Sequence, residues 1–384
     1  MLMDTKAPRI GVFFCDCGET IKDLIDYDEL KDFARSLDGV EHISQHGLLC
    51  SPQSLKDVAS EIKAHGLDRA VIAACSPRIY LDEFREAARR GGINPYMVEQ
   101  TNLREQVAWI HSKDVKAATE KAKDQLLMSI ERSRRMRPSE FGPAAVVNTD
   151  QCSGCGVCAT TCRAGAITFK VIEGGHRVAE VDRSECKACG ACVAACPSGA
   201  MNLEGFTNEE IIAEIDAFTE GFLESKEPFP AVLVFACHWC SYPAADLAGL
   251  KRLQQSPSFR MIRTPCSARV DPEWIMHALS RGVDGVMVLG GKEGACHYQG
   301  GNVKTRNRMA LLLKVIEQLG FDPRRVRIEW VNSDEPYRFR NTVDDFVANV
   351  RELGPNPSRA PAEEDRMTSA LYHGRDELAH PSYR

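Results

Sequence analysis

The chain has 384 residues, carries a formal net charge of −6 at pH 7 and contains 16 cysteines. This length allows two or three domains with buried cores, and the mildly acidic balance gives no reason to expect nucleic-acid binding. The N-terminus lacks the features of a secretory signal, and no window holds 18 apolar residues, so neither export nor a membrane-spanning helix is predicted. A cysteine-rich chain without a signal is expected to hold metal clusters in the reducing cytoplasm rather than disulfides.

Residues 1–137 alternate short apolar strands with helical segments, which is typical of a parallel sheet covered by helices. Strands are predicted at residues 9–14, 40–44, 69–74 and 95–98. Ligands of such sheets bind beyond the carboxyl ends of the strands, and four cysteines follow strands here: Cys15, Cys17, Cys50 and Cys75. We expect one edge of the sheet to gather these thiols as ligands of a 4Fe-4S cluster. The alternative is that they are ordinary small buried residues.

A long helical pattern over residues 113–137 has a basic end, formed by Arg132, Arg134, Arg135 and Arg137. Cations at a helix C-terminus interact favourably with the helix dipole and with solvent, which is the simpler interpretation. A patch that docks a partner is the other. Residues 138–143, which begin and end with proline, are predicted to be a linker.

Residues 144–206 contain two copies of the spacing Cys-x2-Cys-x2-Cys-x3-Cys, the second followed by Pro197. This pattern is typical of a bacterial-type ferredoxin with two 4Fe-4S clusters, in which the fourth cysteine of each run binds the other cluster. We assign the first cluster to Cys152, Cys155, Cys158 and Cys196, and the second to Cys186, Cys189, Cys192 and Cys162. Zinc or disulfides are alternatives, but zinc usually takes two Cys-x2-Cys pairs and disulfides do not explain a duplicated period. Arg163 replaces the usual proline, which predicts a local shift without loss of a cluster.

Residues 207–230 are predicted to be a helical linker, and residues 231–353 repeat the alternation of strand and helix. The predicted strands of this second unit are 231–236, 259–263, 285–289 and 326–331. Four further cysteines lie beyond strand ends: Cys237, Cys240, Cys266 and Cys296. Because only one Cys-x2-Cys pair is present, a four-thiolate iron–sulfur cluster is favoured over zinc. Residues 354–384 are Pro-rich, charged and aperiodic, which is typical of a disordered tail or a partner-wrapping arm.

The predicted fold class is therefore α/β, with two small parallel-sheet α/β domains flanking a bacterial-type ferredoxin domain with two 4Fe-4S clusters. The 16 cysteines divide into four groups of four, and none is left over. Two histidines, His238 and His297, lie beside candidate ligands. We expect them to be polar neighbours or surface residues, since thiolates already complete the ligand count.

Longer stretches of the chain resemble known families. IGVFFCDCGETI, LLCSP, AACSPR and NPYMVEQTNLREQ together resemble the N-terminal domain of the heterodisulfide reductase A subunit, and the central unit resembles the ferredoxin module of that same protein. Residues 231 to about 340, which include FACHWCSYPAADLAG, IRTPCSARVDP and GACHYQGN, resemble the delta subunit of methyl-viologen-reducing hydrogenase. The chain thus resembles a fusion of these parts without the flavin-binding domain of the reductase A subunit, and we expect no FAD.

The delta-subunit resemblance implies a 2Fe-2S cluster on Cys237, Cys240, Cys266 and Cys296. Gly291 and Ala295 depart from that family's pattern, which often has Cys and Asp at these positions. Four cysteines remain, which is enough for one cluster. The resemblance also implies partners: heterodisulfide reductase-like subunits, and a hydrogenase, formate dehydrogenase or similar module that donates electrons.

We therefore predict an iron–sulfur electron-transfer subunit of an anaerobic multi-subunit oxidoreductase, which relays electrons between a dehydrogenase or hydrogenase and a flavin-containing reductase core. No catalytic pattern such as Ser-His-Asp or paired carboxylates is evident, so no substrate site of its own is predicted. One alternative is a reductase whose N-terminal cluster, near Cys15 and Cys17, acts on a disulfide or similar substrate. A sensor is another, but the DNA-reading helix-turn-helix expected of one is not evident.

Overall fold

The computed structural model describes residues 7–224 and 230–359. In these ranges it contains two four-stranded parallel sheets and, between them in sequence, two small antiparallel sheets of two strands each. The predicted α/β class is confirmed, with a parallel-sheet unit on each side of the ferredoxin region. None of the helices in the described ranges is long and apolar enough to cross a bilayer.

The first parallel sheet has the strand order β2-β1-β3-β4. Its central strands are short apolar runs buried on both faces, and all six residues of β1 are buried. The strands are β1 Ile10–Cys15, β2 Val40–His46, β3 Arg69–Ala74 and β4 Val98–Asn102. The helices of this unit are α1 Tyr27–Arg35, α2 Pro52–His65, α3 Pro77–Gly91 and α4 Val115–Arg135.

Two Cys-Ser-Pro sequences fix cysteines at the carboxyl edge of this sheet. Ser51 and Ser76 are the N-caps of α2 and α3, and their side chains accept hydrogen bonds from backbone N–H groups of the first helical turn. Proline follows at the first helical position, where its missing N–H costs nothing. Cys50 and Cys75, which precede the caps, are thereby held just outside a helix N-terminus.

The second parallel sheet has the order β10-β9-β11-β12, which repeats the topology of the first. Its central strands are again apolar and fully buried. The strands are β9 Val232–Cys237, β10 Phe259–Thr264, β11 Gly285–Gly290 and β12 Val326–Trp330. The helices are α7 Ser241–Leu250, α8 Pro272–Ser280, α9 Gly301–Gln318 and α10 Pro336–Leu353.

The ferredoxin region is small and shares its core with the second sheet unit. Phe206, Ile211 and Phe218 pack in the same cluster of buried side chains as Phe235 and Trp274. Each such side chain contributes about 1.5–3 kcal/mol when it leaves water, so the two regions stabilise each other. The elements here are β5 Ala145–Val147, α5 Val157–Thr161, β6 Ile167–Val171, β7 Arg177–Val181, β8 Met201–Leu203 and α6 Asn208–Glu224.

Buried ion pairs join α4 of the first unit to the rest of the molecule. Arg260 on β10 is fully buried and donates from Nε to Oδ2 of Asp124 on α4 at 2.8 Å. Arg132, further along α4, is 4% exposed and pairs with Glu99 at 3.4 Å and with Glu214 on α6 at 2.8 Å. Losing one partner of such a pair costs about 3–5 kcal/mol because the other charge stays buried. These buried ion pairs therefore stabilise the contact between the two sheet units.

The arginines at the end of α4 do not all face solvent, as the simpler interpretation of this basic end predicted. Arg132 does not face solvent at the helix terminus but forms the buried pairs described above. Arg134 pairs with Glu131 at 3.1 Å and also donates to a backbone carbonyl of the first unit. Only Arg135 and Arg137 among these four are exposed, because the end of α4 is packed beneath α6.

The strand predicted at residues 95–98 was wrong in position. Pro95–Met97 forms a 3-10 turn, and the strand β4 runs from Val98 to Asn102. Proline has no N–H to donate to a sheet, and the side chain of Asn94 accepts a hydrogen bond from the N–H of Tyr96, which closes the turn. The strand therefore begins only after this turn.

The C-terminal part contains a helix that the sequence analysis did not identify. In α10, Phe339, Val343, Phe346 and Val350 recur at helical spacing and are buried. Residues 354–359, within the predicted disordered tail, are ordered, since Asn356 is 1% exposed and donates to backbone carbonyls of the second unit. The remainder of the predicted tail, residues 360–384, lies outside the described ranges, as do residues 225–229 of the predicted linker.

Candidate metal centres

The four N-terminal cysteines lie together at the carboxyl edge of the first sheet. A hydrogen bond with Cys15 lowers the pKa of Cys17 to about 5, and a second hydrogen bond, from Arg104, contributes a smaller part of this shift. Burial raises the pKa of Cys75 to about 12, and nearby Cys17 and Cys50 add to this rise. The structure thus brings these four thiols into one group, which we call the N-terminal thiol group.

Donors that the sequence analysis missed point at this group. Nη1 of Arg104 donates to Sγ of Cys17 at 3.0 Å, and the same guanidinium is paired with the buried Glu105. The backbone N–H of Leu49 donates to Sγ of Cys15 at 3.4 Å. Such donors stabilise negative charge on sulfur, and they are among the features that set the potential of iron–sulfur sites.

Two ferredoxin cysteines each have neighbouring thiols from both cysteine runs. Burial, with added effects of Cys196, Cys152 and Cys155, raises the pKa of Cys158. Burial also raises the pKa of Cys192 to about 12, with added effects of Cys189, Cys186, Cys162 and, more weakly, Cys158. Cys158 is therefore near enough to the second group to affect it, and the two groups are neighbours. Cys155 of the first group is exposed.

Backbone N–H groups also donate to ferredoxin thiols. The N–H of Ala179 on β7 donates to Sγ of Cys152 at 3.4 Å, and that of Ala145 on β5 donates to Sγ of Cys186 at 3.5 Å. The small antiparallel sheets thus supply one donor to each group. Donors of this kind stabilise negative charge on sulfur.

The C-terminal cysteines are the most deeply buried group. Cys237, Cys240 and Cys266 are 3%, 5% and 0% exposed, and Cys296 is half-buried. Hydrogen bonding with Cys240 and Cys266 holds the pKa of Cys237 well below its usual range. Hydrogen bonding with Cys266 lowers the pKa of Cys296 to about 5. Cys296 thus lies with the other three, although Gly291 and Ala295 depart from the delta-subunit pattern.

Two glycines leave room for the C-terminal thiol group. A Cβ added at Gly291 would lie 2.6 Å from Sγ of Cys240, and one at Gly301 would lie 2.5 Å from Sγ of Cys266. Real Cβ atoms do not approach sulfur so closely, so any larger residue would displace a thiol. Position 291, where the family pattern often has a cysteine, therefore faces the same group of sulfurs.

A mostly apolar cavity of about 560 Å³ lies between the ferredoxin region and the second sheet unit. One wall carries the second ferredoxin thiol group, and the other carries Cys266 with Trp239, His297 and Tyr298. Burial raises the pKa of Tyr298 to about 12, and Cys266 and Cys189 add to the rise. The phenol of Tyr298 is therefore close to sulfurs of both groups.

The N-terminal and C-terminal thiol groups are linked through α7, which begins directly after Cys240. Asp246 on this helix accepts a hydrogen bond of 2.6 Å from the hydroxyl of Ser76, the residue after Cys75. Tyr242, on the preceding turn, is 4% exposed. Burial raises the pKa of Asp246 to about 7. No cysteine pattern predicts this link, since it joins residues far apart in the chain.

The residues flanking candidate ligands have distinct contacts. The guanidinium of Arg163 lies near Gly300, in the loop after Cys296, where a Cβ added to the glycine would be 3.4 Å from it. The ring of His297 is exposed and stacks on Trp239 with centroids 3.8 Å apart. Burial and two nearby arginines lower the pKa of His238 to about 3. His238 is thus a neutral polar neighbour.

Within residues 7–224 and 230–359, no group of three or more His, Cys, Asp or Glu side chains is already placed to hold a metal ion. The choice between zinc and iron–sulfur clusters therefore rests on the spacing of the cysteines in the sequence.

Two protein families match separate parts of the chain. Residues 151–200 match the 4Fe-4S dicluster domain, and residues 232–354 match the delta subunit of methyl-viologen-reducing hydrogenase. The first match covers all eight ferredoxin cysteines, and the second covers all four cysteines of the C-terminal thiol group. Both resemblances that the sequence predicts for these regions are confirmed.

Relatives of two kinds are similar to the chain. The iron–sulfur D subunit of F420-non-reducing hydrogenase from Archaeoglobus profundus is 45% identical over 131 residues, which are 34% of this chain and 96% of that protein. The A subunit of ferredoxin:CoB-CoM heterodisulfide reductase from Methanosarcina mazei is 44% identical over 130 residues, 34% of this chain and 16% of that protein. The A subunit of H(2):CoB-CoM heterodisulfide,ferredoxin reductase from Methanothermobacter thermautotrophicus is 38% identical over 141 residues, which are 37% of this chain and 21% of that protein.

The two kinds of relative differ in how much of them the chain contains. It spans only 16% to 21% of the length of these reductase proteins. In contrast, it spans nearly the whole of the hydrogenase protein at 45% identity. Through residues 232–354, the chain therefore belongs to the family of the methyl-viologen-reducing hydrogenase delta subunit.

Proposed function

We propose that this chain is an iron–sulfur electron-transfer subunit of an anaerobic multi-subunit oxidoreductase of the heterodisulfide reductase and hydrogenase type. It would relay electrons between a hydrogenase, formate dehydrogenase or similar donor module and a flavin-containing reductase core. One observation carries the proposal. All 16 cysteines lie in four groups of four, and Tyr298 lies beside thiols of two of these groups.

The chemistry of the donors supports clusters in these groups. Each group offers four sulfurs, and backbone N–H groups donate to at least one sulfur in each: to Cys15, Cys152, Cys186 and Cys266. An iron–sulfur cluster, when bound, supplies a centre that accepts and releases one electron at a time. The chain itself would hold the cluster by its thiolates, exclude water and set the potential through these hydrogen bonds.

We propose the cofactor assignment that the spacing and the family resemblance imply. The two ferredoxin groups would each hold a 4Fe-4S cluster, with Cys162 and Cys196 exchanged between them. The C-terminal thiol group would hold a 2Fe-2S cluster, and the N-terminal thiol group a further 4Fe-4S cluster. The domain limits in this proposal are 1–137, 144–206 and 231–353.

The contacts suggest the order in which the centres are used. The C-terminal thiol group would occupy the middle of the series, since it reaches the ferredoxin through Tyr298 and approaches the N-terminal group through Tyr242 and Asp246. The first ferredoxin group would be one end, because Cys155 is exposed there. The N-terminal thiol group would be the other end. Partners would then dock near these two ends.

Iron and acid-sulfide analysis of the chain purified without oxygen tests the proposal, combined with electron paramagnetic resonance during stepwise reduction. Three 4Fe-4S centres and one 2Fe-2S centre correspond to about fourteen irons per chain. About ten irons would leave the N-terminal thiol group without a cluster and shorten the series to three centres. A chain that binds no iron while its fold is retained would contradict electron transfer altogether.

A substrate assay distinguishes the alternative reductase. If the N-terminal thiol group acts on a disulfide, the isolated, reduced chain should turn it over, and a Cys17→Ser variant should not. If the chain only relays electrons, it should reduce a redox dye but leave disulfides unchanged. The same preparation serves both assays, so a lack of turnover cannot be attributed to missing clusters.

A further inference from the structure

A second cavity, of about 450 Å³, lies where the first sheet unit, the linker, the ferredoxin and the second sheet unit meet. Its lining includes the start of α3, the end of α4 and the loop that holds Cys237 and Cys240. Cavities that bind small molecules are typically about 300–1,000 Å³ and combine apolar walls with a few convergent polar groups. This cavity has both, with Tyr96, Phe206 and Trp239 in its walls.

The charges that line this cavity are predominantly positive. Five arginines and three carboxylates line it: Arg78, Arg85, Arg132, Arg137, Arg263, Asp82, Glu99 and Glu204. Each carboxylate already has a cation, because Asp82 pairs with Arg85, Glu99 with Arg132, and Glu204 with an arginine outside the cavity. The positive charge is therefore not neutralised by the walls.

Three of the arginines have no carboxylate hydrogen bond or ion pair among the described residues. Arg78 and Arg137 are exposed at the rim, and neither forms an ion pair in the described ranges. Arg263 extends from β10, and its Nη1 lies 3.5 Å from Nδ1 of His238. Burial lowers the pKa of Arg263, Glu99 and Tyr242 oppose this effect, and Arg132 and Arg85 add to it. An anion placed beside Arg263 would stabilise its buried charge.

One buried donor of the lining also lacks a partner among the described residues. Nε of Arg85 is buried without a hydrogen bond, which costs free energy unless a bound molecule or water accepts from it. Guanidinium donors prefer planar or tetrahedral oxyanions, which they bind through two parallel hydrogen bonds.

We propose that this cavity binds a small organic anion that carries phosphate or carboxylate groups. The arginines would hold the anionic groups, and the aromatic and aliphatic walls would cover the rest of the molecule. The bound anion would lie against His238 and Trp239, which separate Cys237 from Cys240 in the sequence. The C-terminal thiol group therefore has a ligand-binding cavity directly beside it, independent of the partners that the electron-transfer proposal requires.

Calorimetric titration of the full chain, prepared without oxygen and with its metal content intact, tests this site. The probes are pyrophosphate, ADP and citrate, which separate inorganic phosphate, nucleotide and carboxylate as the source of the charge. At least one probe should bind once per chain, and more weakly as salt is added. Arg78→Gln and Arg137→Gln should each weaken it by about tenfold, the value of one charge-assisted hydrogen bond.

The matched control is Arg135→Gln. Arg135 is exposed at the same end of α4 as Arg137 but does not line the cavity, so its loss should change the affinity by less than twofold. Both rim arginines are exposed and form no ion pair with the residues that the structure describes, so their variants should fold normally, which circular dichroism checks. The site is disproved if no probe binds saturably, or if all three variants bind equally well. Binding of polyglutamate alone would disprove it too, in favour of an acidic partner segment.

Discussion

The two parallel-sheet units share one topology but give their cysteines different surroundings. Both have the strand order 2-1-3-4 and place thiols beyond the first three strands. The C-terminal thiol group is more enclosed, with three of its four cysteines buried and Cys266 packed against the ferredoxin. The N-terminal thiol group is more open, with Cys17 half-buried, and a cation donates to it. The same scaffold thus supports an enclosed site and a peripheral one.

This difference follows from what covers each carboxyl edge. The edge of the second sheet is closed by the ferredoxin loop, where Ala191 and Cys189 pack on Cys266 and Ala268. At the edge of the first sheet, the π-helical turn Arg104–Ala108 provides Arg104 instead of a second cysteine-bearing module. Burial raises the cost of charge on a cluster, and a guanidinium lowers it. The two sites should therefore differ in reduction potential and in how much a substitution of a cysteine destabilises the protein.

Removing a buried thiol from each group gives the largest expected contrast. Cys266→Ala should abolish the signal of the C-terminal centre, remove about two irons and destabilise the packing of the ferredoxin, because it leaves a cavity between the two units. Cys75→Ala should remove about four irons and leave the ferredoxin and C-terminal signals intact. Iron analysis and electron paramagnetic resonance of both variants measure this.

The melting temperatures of the same two variants sharpen the contrast. We expect Cys266→Ala to lower the melting temperature by more than Cys75→Ala does. Cys266 packs at the contact between the second sheet unit and the ferredoxin, whereas Cys75 packs within the first sheet unit. Retention of the C-terminal signal in Cys266→Ala would contradict the ligand assignment. Equal melting temperatures would contradict the view that the C-terminal site is structurally central.

Replacing the cation at the N-terminal thiol group should have a smaller effect that is confined to one centre. Nη1 of Arg104 donates to Sγ of Cys17, so it stabilises the reduced, more negative state. Arg104→Gln should lower the potential of the N-terminal centre by roughly 50–100 mV, which corresponds to about 1–2 kcal/mol for one electron. A redox titration followed by electron paramagnetic resonance measures it.

A second arginine provides the control for this experiment. Arg252 stacks over the ring of Trp109 at 4.8 Å, as Arg104 does, but donates to no thiol among the described residues. Arg252→Gln should therefore leave the N-terminal potential unchanged. If the two variants shift it equally, the contact with Trp109 matters and the hydrogen bond to sulfur does not.

Local sequence features predicted the placement of the thiols but not their surroundings. The apolar strands, and the serine caps after Cys50 and Cys75, act over a few residues, so the pattern revealed them. The contact of Arg104 with Cys17 spans 87 residues, and that of Ser76 with Asp246 spans 170. Such contacts depend on how the units dock, and a single sequence carries no local signal for them.

The helix α10 is a different case, because its signal was present in the sequence. Its apolar residues recur at helical spacing, and Pro336 occupies its first position. Ordering of Asn356 could not have been expected, since it depends on hydrogen bonds to backbone carbonyls 73 and 77 residues earlier.

The smallest expected effect concerns Asp246, which joins the two sheet units. Burial raises the pKa of this carboxyl to about 7, above the usual value near 3.8. A raised pKa means that the folded state binds the proton more tightly than the unfolded state. Its contribution to stability is therefore complete below about pH 4 and is lost as the pH rises through about 7. The interface between the units should weaken over this window.

Asp246→Asn removes the titration and keeps the size of the side chain. Its amide oxygen can accept from Asn102 and Gln106 while its amide N–H donates to the hydroxyl of Ser76. Between pH 5 and 8 the wild-type chain should lose roughly 1–2 kcal/mol more stability than the variant, an amount limited by the other groups that titrate there. Urea unfolding at several pH values measures the difference. Parallel pH profiles for the two chains would mean that Asp246 is ionised throughout, and that its three hydrogen bonds, from Ser76, Asn102 and Gln106, outweigh its burial.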